Sequence, residues 1–267
     1  MTLAAETTTH AASLFGLSGK IALIVGGYGA IGETISRSLA ELGAAVVVAG
    51  HNGDKAAALA ADLNGQGLRA SAHAVDAGNV ADIRDAMGRI VVQAGTIDIF
   101  VNCLGRQREQ LLLDVTEVAL DELYTVHLKA AMFLSQEVAR HQQAAGRGGK
   151  HIHLLSLRSF AGVRDRGYAA FCSMKGAVAM LVRQLSGELG RHRIAVNAVA
   201  PGHVHTRKND KDFADPAKVA KMVERIPLQR VCEPIDVAMA VAFLSAPASD
   251  FITGQILVVD GGQTAGH

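Results

Sequence analysis

The apolar residues of this 267-residue chain form short continuous runs that alternate with longer segments of helical periodicity. The first run, Ile21–Val25, has the length of a buried parallel strand and leads directly into a glycine cluster at 26–32. Behind the glycines, apolar residues recur at helical spacing, at Ile31, Ile35 and Leu39. This order predicts a strand, a tight turn and a helix, and a second apolar run at 45–49 completes a βαβ unit.

The same alternation continues to the end of the chain. Further strands are predicted at 70–75, 97–101, 151–155, 194–199 and 255–259. Helices are predicted at 53–63, 79–92, 115–144 with one possible break, 168–189 and 233–244, and Asn79 can cap the second of these. The pattern predicts an α/β fold: a single Rossmann-type, doubly wound parallel sheet of about seven strands with helices on both faces. We expect one domain at 16–267 behind a flexible tail at 1–15.

Composition narrows the class of ligand. Nearly half of the residues are hydrophobic, which suffices for one sizeable core, and a net charge of +1 without a basic stripe gives no reason to expect nucleic-acid binding. Three scattered cysteines without a CxxC motif suggest a reducing compartment. With no targeting or membrane-spanning segment, the sequence predicts a cytoplasmic protein that acts on a small molecule and not on a membrane.

Ligands of parallel α/β sheets bind beyond the carboxyl ends of the strands. The glycine cluster lies there, where glycines permit close approach of the backbone and a helix start attracts phosphate, so we interpret it as a dinucleotide cradle. A glycine turn without a ligand is the alternative. The other strand ends predict candidate residues at 50–52, Asp76, 102–105, Ser156 and 201–206.

Four segments carry a family resemblance: the glycine cluster, 102–105, 197–206, and 252–255 together with 260–262. Over about residues 16–262 the chain resembles the short-chain dehydrogenase/reductase family. The resemblance implies a nicotinamide cofactor, a Ser-Tyr-Lys group and a homo-oligomer, either tetramer or dimer. In such a group a lysine cation favours the phenolate of the tyrosine, and the serine holds the substrate oxygen.

The catalytic tyrosine departs from the family pattern. The family places it four residues before the lysine, but Phe171 stands at that distance from Lys175. Tyr168 lies seven residues before Lys175, which returns it to nearly the same helix face. This spacing is similar to that of the enoyl-acyl-carrier-protein reductases. We therefore assign Tyr168 as acid/base and Lys175 as the residue that binds the cofactor ribose and lowers the pKa of the phenol.

Two further positions complete the predicted catalytic set. Ser156 matches the family's serine at the strand end, with Ser159 as its competitor. His127 aligns with a family asparagine, where it could relay a proton or be a hydrogen-bonded core histidine.

The predicted cofactor is NADP(H) in preference to NAD(H). No acid follows the second strand to bind ribose hydroxyls, and His51 stands where many NADP-using members have arginine. The expected cofactor-binding residues are Gly26, Gly29, Ile31, Gly32, His51, Asn52, Asp76, Ala77, Asn102, Gly105, Lys175, Pro201, Gly202, Val204 and Thr206.

Two groups of residues invite other interpretations. The histidine pairs at 151/153 and 203/205 lack a third ligand at a metal-binding spacing, so no metal site is expected. The charged segment 208–225 follows Pro201, where a mobile lid over the substrate is predicted, although a solvated surface would have the same composition.

The sequence thus predicts an NAD(P)-dependent oxidoreductase that transfers hydride between nicotinamide and a small carbonyl or alcohol. Two alternatives stay open. One is reduction of an activated C=C bond, and the other is a non-catalytic nucleotide sensor, suggested by Phe171 and His127 at two catalytic positions of the family.

Overall fold

The computed structural model describes residues 11–207 and 209–265. Within them, seven parallel strands form one sheet in the order β3-β2-β1-β4-β5-β6-β7. The strands are β1 (Ile21–Val25), β2 (Ala45–Gly50), β3 (Ala70–Ala74), β4 (Ile99–Asn102), β5 (Gly149–Leu154), β6 (Ile194–Pro201) and β7 (Ile256–Val259). The predicted fold class is confirmed, and so is the number of strands.

Helices cover both faces of the sheet. They are α1 (Ala30–Glu41), α2 (Gly53–Gly65), α3 (Val80–Ala94), α4 (Glu117–Tyr124), α5 (Ala130–Ala145), α6 (Ala169–Leu189), α7 (Asp210–Phe213), α8 (Pro216–Val223) and α9 (Pro234–Ser245). Asn79 caps α3 as predicted, because its side chain accepts the backbone N–H groups of Ala81 and Asp82. The break in the long central helix is a π-helical turn at Thr125–Lys129, between α4 and α5.

The core lies on both sides of the sheet because the strand side chains alternate between its faces. In β1, Ala22 and Ile24 belong to the core cluster that contains residues of α1 and α9. Leu23 and Val25 belong to the cluster that contains residues of α3 and α5. This two-sided burial explains why β1 is a continuous apolar run without polar alternation.

Element boundaries differ from prediction at a few ends. β4 begins at Ile99, two residues later than expected, and the carboxylate of Asp98, the residue before it, accepts the backbone N–H of Ile21. β6 runs on to Pro201.

Two predicted segments are only partly covered by the structure. Residues 1–10 of the expected tail lie outside the described residues, whereas Ala11–Phe15 form a short 3-10 helix. In the segment 208–225 the structure shows α7 and α8, while Lys208 itself is outside the described residues. In the described part of the chain, no helix is long and apolar enough to cross a membrane.

Candidate active site

The glycine loop after β1 forms a concave backbone surface. Gly26 has a φ of +81°, and a Cβ on Gly27 would lie 2.8 Å from the carbonyl oxygen of Ile24. A Cβ on Gly32 would collide with the carbonyl oxygen of Gly26. Gly29 is the N-cap of α1, and no side chain caps the backbone N–H groups of the first helical turn. These N–H groups, including that of Ile31, can therefore bind an anion. The loop therefore fits the pyrophosphate of a dinucleotide.

A tyrosine from the glycine loop reaches the end of β2. The hydroxyl of Tyr28 lies 3.1 Å from Nδ1 of His51 and accepts the backbone N–H of Asn52 at 2.9 Å. Its ring packs so closely on Gly50 that a Cβ there would lie 2.7 Å from it. Asn52 caps α2 by accepting the backbone N–H of Lys55. The exposed ring of His51 is thus fixed beside the loop that suits a dinucleotide.

The loops after β3 and β4 follow their strands closely. The carboxylate of Asp76 accepts the backbone N–H of Gly78 and lies next to Ala77, whose side chain packs on the core. Asn102 accepts the backbone N–H of Leu104 at 3.1 Å, which turns the chain toward Gly105. The glycine loop lies against this turn, since a Cβ on Gly26 would be 3.1 Å from the carbonyl of Cys103.

His127 and Lys175 meet beside Gly105. A Cβ on Gly105 would lie 3.5 Å from Cε1 of His127 and 4.0 Å from Nζ of Lys175. His127 is buried in the π-helical turn, and its Nε2 lies 2.8 Å from the carbonyl oxygen of Arg106. Burial, reinforced by the charge of Lys175, lowers the pKa of His127 to about 4, so its ring is neutral at physiological pH.

The ammonium group of Lys175 is also buried. Nζ donates to the carbonyl oxygen of Leu154 at 2.8 Å, and burial lowers the pKa of the lysine to about 8. Its charge acts on His127, His153 and Cys103. The end of β5 and the loop after β4 therefore meet at this lysine.

Tyr168 lies one residue before α6 and not within it. Its hydroxyl oxygen accepts hydrogen bonds from Nε2 of Gln107 at 2.5 Å and from Nη2 of Arg166 at 2.7 Å. Burial is the largest cause of a raised pKa for Tyr168; among the charges, Arg166 lowers that pKa and Glu109 raises it. The expected lowering of this pKa by Lys175 is not what the structure shows, because the neighbouring cation is Arg166.

The ring of Phe171 fills the space in which these side chains meet. Its centroid lies 6.1 Å from that of Tyr168 and 5.5 Å from that of His127. Nζ of Lys175 lies 5.9 Å from the same centroid. The phenylalanine at the family's tyrosine position is therefore a packing residue among the candidate catalytic groups.

The predicted serine and the end of β6 complete this edge of the sheet. Ser156 follows β5 and caps the short 3-10 helix Leu157–Ser159, because its hydroxyl accepts the backbone N–H of Arg158 at 3.2 Å. Ser159 is the last residue of that helix. Gly202 extends the pairing with β7 through Val259, and Val204 forms an isolated bridge with Cys232. The backbone N–H and hydroxyl of Thr206 both donate to the side chain of Asn209.

Several residues at this edge were not found from the sequence. They are Gln107, Glu109, Arg158 and Arg166; Tyr28 and His203 lie in predicted segments but were given no binding role. Burial lowers the pKa of His203, and the positive charges of Arg158 and Arg166 lower it further, so the three groups lie within electrostatic reach of one another. Arg158 and Arg166 stand two residues from Ser156 and Tyr168 respectively, which was the only signal that pointed to them.

The histidine pair on β5 belongs to the core. His151 lies 3.0 Å from the side-chain oxygen of Gln142, and His153 lies between Asn102 and Ser135. Both rings contact Phe100 edge to face. Across residues 11–207 and 209–265, no group of three potential ligands could hold a metal ion.

A Rossmann-type sheet whose carboxyl edge carries a glycine cradle and buried acid/base residues defines a dinucleotide-dependent oxidoreductase. The sequence profile of the family described as enoyl-(acyl carrier protein) reductase matches residues 27–264. Gluconate 5-dehydrogenase of Gluconobacter oxydans is 34% identical over 94% of this chain and 97% of its own length. The 5-keto-D-gluconate 5-reductase of Escherichia coli is 34% identical over 93% of this chain and 97% of that protein.

A solved structure agrees with these relatives. The gluconate 5-dehydrogenase of Burkholderia cenocepacia, in complex with NADP and tartrate, superimposes with a TM-score of 0.92 at 36% identity and covers 97% of this chain and 100% of that chain. The chain belongs to the short-chain dehydrogenase/reductase family. It is an NAD(P)-dependent oxidoreductase that acts on a small carbonyl or alcohol, and this function is supported over the alternatives of an enoyl reductase and a non-catalytic sensor.

Proposed function

We propose that this enzyme interconverts a secondary alcohol and a ketone on a polyhydroxy carboxylate and that it uses NADP(H) in preference to NAD(H). The observation that carries the substrate class is the pair of guanidinium groups of Arg158 and Arg166, which lie beside Ser156 and Tyr168 and within electrostatic reach of His203. A carboxylate is the ligand for which a guanidinium is best shaped. Nη1 of Arg158 donates to the carbonyl oxygens of Ala161 and Gly162, and a guanidinium has further donors for a ligand.

The names of the relatives support the same class. Gluconate and its keto derivatives are polyhydroxy carboxylates, and they appear in the names of both curated relatives. Tartrate, another polyhydroxy carboxylate, accompanies NADP in the Burkholderia cenocepacia structure.

Each candidate catalytic residue has a role in this reaction. When bound, the nicotinamide supplies or accepts the hydride. Tyr168 exchanges the proton of the substrate oxygen, and Ser156 holds that oxygen where charge develops. Lys175 is placed to bind the cofactor ribose. His127, neutral and fixed to the backbone of Arg106, keeps the loop after β4 in place.

The preference for NADP(H) is supported by the end of β2. His51 and Asn52 stand where an acid would bind the ribose hydroxyls of NAD, so no carboxylate from these two positions repels a 2′-phosphate. NADP is also bound in two further solved relatives, from Beutenbergia cavernae and Agrobacterium tumefaciens. We propose that the other cofactor-binding residues named in the sequence analysis also contact NADP(H).

We also expect the cytoplasmic location and the dimer or tetramer predicted from the sequence. The exposed apolar side chains of Leu112, Leu113 and Val118 support self-association.

The substrate class is tested with purified full-length protein and NADPH. The keto acid 5-keto-D-gluconate is compared with D-fructose, a neutral ketose of equal carbon number, and with acetoacetyl-CoA, an acyl thioester. We expect kcat/KM to be at least about tenfold higher for the keto acid, the worth of one charged hydrogen bond. Arg158→Gln should remove this preference, and Arg164→Gln, at an exposed position nearby, should keep it. Equal use of fructose, or preference for the thioester, would contradict the proposal.

A further inference from the structure

The hydroxyl of Tyr168 is surrounded by side chains from two loops. Gln107 comes from the loop after β4, and Arg166 from the loop before α6. The guanidinium of Arg166 also lies beside the phenol ring, with its central carbon 5.0 Å from the ring centroid. Both neighbours donate N–H groups to the phenolic oxygen, and such donors stabilise negative charge on it, whereas a side-chain hydrogen bond between the phenol and Glu109 favours the neutral form.

Glu109 fixes the direction of the guanidinium. Its two carboxylate oxygens accept from Nε and Nη2 of Arg166, each at 2.5 Å. Nη2 is the same nitrogen that donates to Tyr168. Arg166 in turn lowers the pKa of Glu109 to about 2, so the carboxylate is ionised at any working pH. A bidentate pair of this kind leaves the arginine little freedom to turn away from the phenol.

Lys175 is directed elsewhere. Its ammonium group binds the carbonyl oxygen of Leu154, and its charge acts on the buried groups of His127, His153 and Cys103. Tyr168 and Lys175 both lie about 6 Å from the ring of Phe171. The lysine therefore has its own hydrogen-bond partner, whereas the tyrosine is bonded to the arginine.

We infer that Arg166, rather than Lys175, is the cation that stabilises the phenolate of Tyr168, and that Glu109 holds the guanidinium in position. Arg166 and Glu109 are positioning residues in this assignment, because both act through Tyr168. The inference rests on the proposed role of Tyr168 as acid/base. It explains how a tyrosine seven residues from the lysine can function without a direct contact to it.

The proton balance is simple. In ketone reduction, the O–H bond of Tyr168 breaks, its proton forms the new O–H bond of the substrate, and the electron pair remains on the phenolate. The N–H groups of Arg166 and Gln107 hold this charge until solvent returns a proton. In alcohol oxidation the phenolate accepts the proton, so the active form of the enzyme is then the deprotonated one.

The charged groups around Tyr168 determine whether its pKa is raised or lowered. Arg166 and Glu109 act on it directly, with opposite signs. His127, neutral at physiological pH, and Lys175 reach it only across Phe171. Arg158 and His203 complete the group, since the charges of Arg158 and Arg166 both act on His203.

Ultraviolet titration of the phenolate tests the inference without any substrate. The chain has three tyrosines and no tryptophan, so the difference between wild type and Tyr168→Phe isolates one phenol. In Arg166→Gln the midpoint of this difference should rise by at least about 1 pH unit, and in Arg166→Lys it should rise less. In Glu109→Gln it should fall. Arg164→Gln, which changes an exposed arginine of the same loop, should leave it in place.

The pH profile of alcohol oxidation supplies the second measurement. The midpoint of the acidic limb of kcat/KM should move in the same direction as the phenolate titration in each variant. An unchanged phenolate midpoint in Arg166→Gln, or an equal shift in Arg164→Gln, would overturn the inference. If the titration shifts as expected but no polyhydroxy carboxylate is turned over, the inference holds and the proposed substrate class fails.

Discussion

Tyr28 connects the glycine loop to the residue expected to recognise NADP. Its hydroxyl joins Nδ1 of His51 to the backbone N–H of Asn52, so the imidazole is held in one orientation. In Tyr28→Phe we expect the dissociation constant for NADPH to rise about tenfold, the cost of roughly one to two lost hydrogen bonds, while that for NADH changes little.

Nicotinamide fluorescence titration measures both constants. Tyr124→Phe, at an exposed tyrosine on α4, is the matched control and should bind both cofactors as wild type does. If Tyr28→Phe weakened NADH and NADPH equally, Tyr28 would only support the loop and would not position a phosphate-binding histidine.

At the residue scale, sequence patterns predicted the site residues that directly follow strands and missed the site residues that lie within loops. His51 and Ser156 could be placed because each comes directly after an apolar run. Gln107, Glu109 and Arg166 lie in loops, where no periodicity says which side chains face each other. Tyr168 was expected on the first turn of α6, but it precedes the helix, so its ring direction follows from its loop contacts.

Among the elements, the turn from β1 into α1 depends on glycine most strictly. A Cβ on Gly32 would meet the carbonyl oxygen of Gly26, and neither backbone can move without disturbing β1 or α1. Gly32→Ala should therefore abolish cofactor binding, as measured by nicotinamide fluorescence.

A second helical glycine offers a control for this substitution. Gly88 lies in α3, where an added Cβ has nothing within 4 Å. Gly88→Ala should keep cofactor binding and stabilise the protein by about 0.5–1 kcal/mol, since alanine favours helix. Normal NADPH binding by Gly32→Ala would show that the loop does not cradle the dinucleotide.

Most elements were predictable because strands buried on both faces are continuous apolar runs and the helices between them are periodic. The cap of Asn79 on α3 was predicted from the sequence, whereas that of Asn52 on α2 was not. The π-helical turn at Thr125–Lys129 could be expected only as a break, because no pattern of apolar residues distinguishes it from an α-helical turn.

For the molecule as a whole, buried histidines link stability to pH. Burial is the largest cause that lowers the pKa of His127 and His153 to about 4 and that of His151 to about 3. The unfolded chain binds protons at these residues near pH 6.5, before the folded protein does. The contribution of the neutral histidines to the free energy of unfolding is therefore fully present above about pH 6.5. It decreases as the pH falls toward 4, by up to about 1.4 kcal/mol per pH unit for each histidine.

Urea unfolding between about pH 7 and pH 4.5 measures this dependence. His153→Asn should lower the stability at neutral pH and reduce its slope with pH, whereas Gly88→Ala, which removes no titratable group, should leave the slope unchanged. A denaturation midpoint that stays constant over this range in wild type would contradict the burial of neutral histidines.

Tyr168 is the proposed acid/base of an enzyme that has phenylalanine at the family's tyrosine position. The measurement is NADPH binding and steady-state turnover of Tyr168→Phe beside wild type, with a keto acid as substrate. We predict unchanged NADPH affinity and a fall in kcat of at least about 100-fold, the usual contribution of a positioned acid/base. Turnover close to that of wild type would contradict the account and would make Tyr168 a packing residue.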